Sequence, residues 1–400
     1  MKKLLIIGAS NLQIPAIQKA KDMGFSVAVV DYNPNAMGIK YADKYYNVST
    51  IDEEGVCQAA KDFGAHGIMT MATDMPMRAL AYACEKLKLN GISYETAIMA
   101  TDKGEMIKAF DRHDVPHPWY YIVKSEDEFL EIVDKVNYPL IIKPVDNSGS
   151  RGVILVDSQN DMGRAYQYSV QNGRCGHVIV EEYMQGPEVS VELVVLRGVP
   201  YVIQITDKLT TGAPHFVEMG HSQPSALSDE TKREVERIAK LAALAVGIKD
   251  GVGHAEIIIT NDGPKMVEIG ARLGGDNITS HLVPLSTGVD LVRATIEISC
   301  GLFPDINAKF SKGSAVRFFE APSGKIKDIE GIHKAKLITG VKDIIFTKTP
   351  GQMSCLIGNS NDRIGSVITQ AASAKEAVAI CEEAEKNIKI IVEPENMQKT

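Results

Sequence analysis

The sequence predicts a mixed α/β and α+β chain: a doubly wound parallel domain first, a strand-rich central region next, and a small α+β domain last. Three observations predict it. The first hundred residues alternate short apolar runs with helical segments, the βαβ pattern of a parallel sheet. From about Thr101 strands follow one another with turn residues between them. From about Ser311 short strands surround one helix. With 400 residues, 44% hydrophobic and 24% charged, the chain can bury large cores without disulfides or a structural metal.

The elements follow in order. KKLLIIGA is a continuous apolar run ending in glycine, as a buried parallel strand reads. Pro15 to Met23 reads as a helix stopped by Gly24, and SVAVVDYN as the next strand, with Asp31 at its end. GIMTMATD is a further strand after a second helix, and Arg78 to Lys88 a third helix. HPWYYIV and YPLIIKPV are strands separated by the acidic helix Ser125 to Val136. HVIVEEYM, EVSVELVVL and PYVIQIT follow, broken at Gln185-Gly186-Pro187 and Arg197-Gly198. The stretch Thr210 to Ser225, rich in Gly, Pro and Ser, predicts a loop or cover rather than core. Asp229 to Val246 is the longest amphipathic helix, and GHAEIIIT, Asn261-Asp262-Gly263 and PKMVEIG form a strong hairpin signal. Ala374 to Asn387 is the last helix.

Composition narrows the function classes. The chain has 43 basic against 51 acidic residues, a net charge of -8, and no basic block, so no nucleic-acid partner is expected. It has no run of eighteen apolar residues, so no membrane span is expected. The apolar run Leu4 to Ile7 is too short for a signal-peptide core. Six dispersed cysteines form no CxxC pair, which predicts reduced thiols and a cytoplasmic protein.

Four segments can carry chemistry. The Gly8-Ala9-Ser10-Asn11 loop, with Asp31, reads either as a dinucleotide loop lacking its second glycine or as a tight strand-to-helix turn. IIKPVDNSGSRGV delivers Lys143 and then a glycine-containing loop, whose backbone N–H groups can approach phosphate. It is no P-loop, because no GK[ST] follows and the chain returns to a strand. VIVEEYMQGPEVSVELVV ends one strand in Glu181-Glu182 and opens the next with Glu188. The hairpin GHAEIIITNDGPKMVEIGARLGGD brings Glu256 and Glu268 onto neighbouring strands, a pair of hard oxygen donors suited to Mg²⁺. Arg272, four residues on, can reach a developing negative charge.

In this order the segments resemble the ATP-grasp superfamily over essentially the whole chain. The resemblance implies a doubly wound pre-ATP-grasp domain over 1–100 and a two-lobed ATP-grasp domain over 101–310, with its flap lobe at about 115–180. It leaves 311–400 as a C-terminal α+β domain. In TDKGEMIKAF it makes Lys103 the first nucleotide-contacting lysine, and in IIKP it makes Lys143 the second, ahead of a flap containing Ser148, Gly149 and Ser150. EEYM matches the adenine hinge: Glu181 and the Met184 backbone face the base, with Glu182 beside them and Glu188 at the ribose. Glu256 and Glu268 match the paired Mg²⁺ (or Mn²⁺) ligands and Arg272 the catalytic arginine. Many members carry asparagine two residues after the second glutamate. Here that place is Gly270, so a substitute ligand is expected, Asn277 being the candidate.

Within the superfamily the chain is most similar to the L-amino-acid (dipeptide) ligases. HFVEMGHSQPS supplies the Glu-x-x-His pair, Glu218 and His221, that lies near the reacting substrates in that group. A weaker resemblance is to phosphoribosylamine–glycine ligase, whose Gly-Arg-Glu-His phosphate loop is absent from GASNLQIPA. The resemblance implies ATP, Mg²⁺, small-molecule carboxylate and amine substrates, an acyl phosphate, a closing flap, and a homodimer, since relatives are often dimers. An NAD-dependent oxidoreductase leaves Lys143, Glu256 and Glu268 without roles, and a non-catalytic nucleotide sensor leaves Arg272 and the paired carboxylates without one.

Overall fold

A computed structural model of the protein describes residues 2–147, 149 and 151–393. Four strands, β1 (Lys3–Ile7), β2 (Ser26–Asp31), β3 (Lys44–Asn47) and β4 (Gly67–Met69), form a parallel sheet in the order β3-β2-β1-β4. Alternate residues of β1 enter two different cores: Leu5 and Ile7 meet the helices Glu53–Phe63 and Met77–Leu87, while Leu4 and Ile6 meet Ile14–Asp22 and Leu291–Ser299. That two-sided burial is why the strand reads as an unbroken apolar run. The short β3 was not legible, because KYYN carries no buried residue to mark it.

A second sheet is antiparallel, with β5 (Tyr120–Val123), β6 (Leu140–Pro144), β7 (Ile154–Val156) and β8 (Val178–Glu182) in the order β5-β8-β6-β7. It has a core of its own, in which Phe129 and Tyr166 stack at 4.2 Å over Leu140, Ile142, Val178 and Val180.

The central sheet is built by β9 (Glu188–Leu196), β10 (Val199–Thr210), β11 (Glu218–Gln223), β12 (Gly251–Thr260) and β13 (Gly263–Gly270). The C-terminal strands are β14 (Gly313–Phe319), β15 (Gly324–Glu330), β16 (Val341–Phe346), β17 (Met353–Ser354), β18 (Gly365–Ala371) and β19 (Lys389–Glu393). Eight of these strands pair antiparallel in the order β13-β12-β9-β10-β11-β14-β18-β16, and β17-β15-β19 make a small separate sheet. One sheet therefore runs across residue 310, joining the C-terminal strands to the hairpin that carries the paired carboxylates. Helix Asp229–Ala245 covers a face of it with Val235, Ile238 and Ala242. Ser228 caps that helix by accepting from the Thr231 N–H, and Asp229 and Glu230 complement its positive end.

The structure corrects the reading of 210–225 over its second half. Glu218–Gln223 is an interior strand, paired to β10 on one side and β14 on the other, with His221 and Gln223 buried. Gly and, to a lesser degree, Glu are poor strand formers, and pairing on both edges overrides that preference. Thr211 to Val217, with Pro224 and Ser225 at the far end, remains loop.

Candidate active site

The chain leaves β8, passes through Tyr183–Pro187 and enters β9, so the small lobe is hinged on the central sheet. Between them lies a cavity of about 670 Å³, within the range of small-ligand sites. Lys103, Lys143, Gly149, Glu181, Glu182, Met184, Glu188, Glu256 and Glu268 all line it, with Ile141, Ile258 and Val267 as apolar wall. Ser148 and Ser150 lie outside the described residues.

The lysines at this cleft are held by carboxylates. Lys143 Nζ is 2.5 Å from Glu181, both buried, and Lys265 is 3.0 Å from Glu182. Lys103 opens the helix Lys103–Arg112, which Asp102 caps, and its ammonium pairs with Glu268 at 2.8 Å and donates to the Asn147 carbonyl at 2.8 Å. Burial opposes that charge, but Glu268 outweighs it and keeps the Lys103 ammonium above its ordinary range.

On the hairpin, Glu256 and Glu268 are directly opposed in the β12–β13 register. Opposed residues on one face stand about 5 Å apart at Cβ, so both carboxylates can serve one site. Beside them is a lysine that the motifs did not mark. Lys208, on β10, is 2.5 Å from Glu188, 3.3 Å from Glu256 and 3.6 Å from Glu218. Burial opposes its charge, yet those three carboxylates hold the ammonium well above the usual lysine range. One ammonium cannot compensate three acids equally. Burial pushes the Glu188 carboxyl up, whereas Lys208 and His254 overcome burial at Glu256 and hold it well below its usual value. His254 bridges Glu192 at 2.5 Å and Glu256 at 3.3 Å; burial opposes its proton, but the acids raise its pKa to about 9.

The donor set suits a hard divalent cation shared with phosphate. Glu256 and Glu268 offer two anionic groups, and among the described residues no cluster of three or more His, Cys, Asp or Glu forms a self-sufficient metal cage. Asn277 does not line either cavity at this site; its backbone is left-handed (φ +65°), and its neighbour Asp276 faces the cavity instead. Gly270 has a steric reason. A Cβ there would lie 2.9 Å from Asp74 Oδ1 and 3.2 Å from the Arg272 guanidinium. The place expected of a third ligand is thus occupied by an ion pair.

That pair belongs to a second cavity, of about 270 Å³, which shares Lys208, Glu218, Glu256, Glu268 and Gly149 with the first. Arg272 binds Asp74 through Nε and a terminal nitrogen, at 2.8 and 2.9 Å. Burial works against its charge, and Asp74 more than restores it, so Arg272 is a fixed cation on the cavity wall. His221 Nε2 lies 3.4 Å from Asp276, while its Nδ1 is buried with no partner. Ser190 Oγ, on the same wall, is likewise buried and unpartnered. Arg363 binds both oxygens of Asp276 at 2.7 Å. The expected residues Glu218, His221 and Arg272 therefore share one cavity, next to the cavity of the expected nucleotide residues.

The Gly8 loop resolves as a turn. The Ala9 and Asn33 N–H groups donate to the two Asp31 oxygens at 2.8 and 2.9 Å, which uses the carboxylate that a ribose would need. The Ser10 N–H and hydroxyl both donate to Gln13 Oε1, and a Cβ on Gly8 (φ +95°) would sit 2.9 Å from that oxygen. Gln13 fills the turn where a pyrophosphate would approach.

Motif reading missed Lys208, Asp74, His254, Asp276 and Arg363. Three of them lie in segments already marked: Asp74 closes the strand run GIMTMATD, His254 stands in GHAEIIIT two residues before Glu256, and Asp276 ends the GARLGGD tail. Lys208 and Arg363 stand in stretches of ordinary composition and reach the site only through folding.

Two lobes are thus hinged over a lysine- and glutamate-lined cleft, backed by an antiparallel sheet. A family model for the ATP-grasp domain matches residues 136–280, and one for the L-amino acid ligase C-terminal domain 2 matches residues 317–393. The chain therefore contains an ATP-grasp domain and, after it, the C-terminal domain of the L-amino acid ligases. It is 28% identical to alanine–anticapsin ligase of Bacillus subtilis, over 69% of this chain and 65% of that protein. It is 25% identical to human carnosine synthase 1, over 76% of this chain and 40% of that protein. It thus spans less than two thirds of either relative's length. Its fold matches the crystal structure of L-amino acid ligase from Bacillus licheniformis with a TM-score of 0.86, at 21% identity over 98% of this chain and 99% of that one. Phosphoribosylglycinamide synthetase from Anaerococcus prevotii matches with a TM-score of 0.81, at 23% identity over 98% and 100%.

Proposed function

We propose that this protein is an ATP- and Mg²⁺-dependent carboxylate–amine ligase, ADP-forming, which joins an amino-acid carboxylate to an amine as an amide. The observation that carries this reading is the shared wall. Lys208, Glu218, Glu256 and Glu268 border both a cavity of nucleotide size and a cavity of amino-acid size. A group activated by phosphate in the first is then within reach of a nucleophile in the second.

Lys103, Lys143 and Lys208 attract and orient the ATP phosphates, and the hinge about Glu181 to Met184 holds the base. A substrate carboxylate attacks the γ-phosphorus, ADP leaves, and an acyl phosphate forms. The amine attacks the acyl carbon and phosphate departs. Arg272, fixed by Asp74, stabilises negative charge in both steps without reorganising. Glu218 holds the incoming ammonium. With Nε2–H turned to Asp276, His221 presents the lone pair of Nδ1 and can take the amine proton. Mg²⁺ held by Glu256 and Glu268 (Mn²⁺ in its place) would neutralise phosphate charge when bound.

We read 1–100, 101–310 and 311–400 as the working units, with 115–180 closing over the nucleotide. A cytoplasmic setting, which keeps the six free thiols reduced, and a homodimer, read by light scattering, complete the proposal. Among the described residues no helix is long and apolar enough to cross a membrane. The test is ADP release with mass detection of product over pairs of L-amino acids and other small carboxylates and amines. Turnover only with phosphoribosylamine and glycine would move the chain to the alternative ligase. ATP binding with no ADP release from any pair would leave a sensor.

A further inference from the structure

We infer that Arg363 is a positioning residue through which the C-terminal unit builds the amine side of the cleft; this rests on the ligase reading above. Arg363 is far from the site in sequence, 87 residues beyond Asp276 and 145 beyond Glu218. Its side chain is almost wholly enclosed, 11% exposed, and its donors are spent on that site. Two terminal nitrogens form a fork on Asp276, each at 2.7 Å. One of them also donates to the Glu218 carbonyl at 3.0 Å, and Nε donates to the Ser360 carbonyl at 2.9 Å. The guanidinium face rests on Phe318, 3.8 Å from the ring centroid, and the same ring meets His221 edge-on at 6.2 Å.

One residue thus touches the supports of both Glu218 and His221. It holds the Glu218 backbone directly. It holds His221 through Asp276, 3.4 Å away, and through Phe318. Ser360, brought in by the same loop, lies on the cavity wall with its hydroxyl 3.5 Å from the Glu218 carboxylate. Asp276 needs such a clamp. It and Asn277 are consecutive non-glycine residues in the left-handed region, φ +51° and +65°, which Asp and Asn tolerate at some cost, so the direction of the Asp276 carboxylate needs an outside anchor. A planar fork supplies it and a lysine would not, because a point charge fixes neither oxygen's direction. Arg363 does not line the nucleotide cavity.

The test uses the full chain as wild type, Arg363→Lys and Arg363→Met. Binding of Mg²⁺ with a non-hydrolysable ATP analogue, carboxylate-dependent ADP release, and KM for each of a pair of L-amino acids are measured. The expected result is nucleotide affinity within about threefold of wild type and an amine KM raised about tenfold or more in the lysine variant, the scale of a positioning loss. Unchanged KM in both variants overturns the inference, since Arg363 then only fastens the C-terminal unit. Nucleotide affinity falling in step with the amine KM also overturns it. If wild type joins no pair, the ligase reading has failed, and hydrogen exchange decides the positioning claim separately. Faster exchange in Arg363→Lys confined to residues 218–223 and 274–279, with 178–188 unchanged, supports it; equal exchange throughout refutes it.

Discussion

Replacing Lys208 by methionine tests the electrostatic design of the cleft most directly. Methionine keeps most of the apolar stem and deletes only the charge. In the wild type that charge serves Glu188 at 2.5 Å, Glu256 at 3.3 Å and Glu218 at 3.6 Å, from a side chain 3% exposed. Deleting one partner of a buried ion pair typically costs about 3–5 kcal/mol, because the remaining charge stays desolvated. The three carboxylates are 19–24% exposed, so water reaches them in part, and Glu188, already pushed up by burial, is ready to take a proton. The expected cost is therefore near the lower end, about 3 kcal/mol, or a fall in Tm of about 5–10 °C for a large domain. The deficit depends on pH with a definite sign. Without the ammonium nothing offsets the burial that pushes the Glu188 carboxyl up, so the variant is penalised more as pH rises through that raised pKa. Thermal unfolding at pH 5 and pH 7.5, with and without millimolar Mg²⁺, is the assay. The deficit should be smaller at pH 5, and at pH 7.5 Mg²⁺ should recover part of it. An equal deficit at both pH values, untouched by Mg²⁺, would show that Lys208 does not compensate these acids.

Glu268→Gln should stay folded, since it keeps an acceptor for Lys103, yet lose about a hundredfold or more in turnover because a metal ligand needs an anionic oxygen; near-normal ADP release would remove Glu268 from the metal assignment. Glu218→Gln and His221→Gln should keep the affinity for an ATP analogue and lose amide formation by about a hundredfold, and wild-type product yield by mass would reduce the pair to structural contacts. Although burial opposes it, Asp276 is held well below the usual carboxylate range by His221 and Arg363. A lowered folded-state pKa gives stability that is present above about pH 4 and is lost as pH falls below it. Wild type should therefore lose more Tm between pH 5 and pH 3 than Asp276→Asn does, and parallel losses would contradict the ion-pair account.

The order of the segments, and the chemistry that each can carry, is written in local patterns of residues. Strand runs such as KLLII, the Asn261-Asp262 hairpin and the helix beginning after Ser228 are local patterns, set by burial period, turn residues and caps. The expected nucleotide residues were legible for the same reason, as they cluster at strand ends within short segments. Which groups meet depends on long-range pairing and packing. Strand pairing on both edges turned the polar, glycine-containing Glu218–Gln223 into an interior strand, against its composition. Sheet register delivered Lys208 to three acids from three other strands, and chain crossing brought Asp74 to Arg272 and Arg363 to Asp276. These are long-range ion pairs between residues with no periodic or turn signature. Their strength comes from burial, which exists only once the chain has folded and its distant segments have packed together.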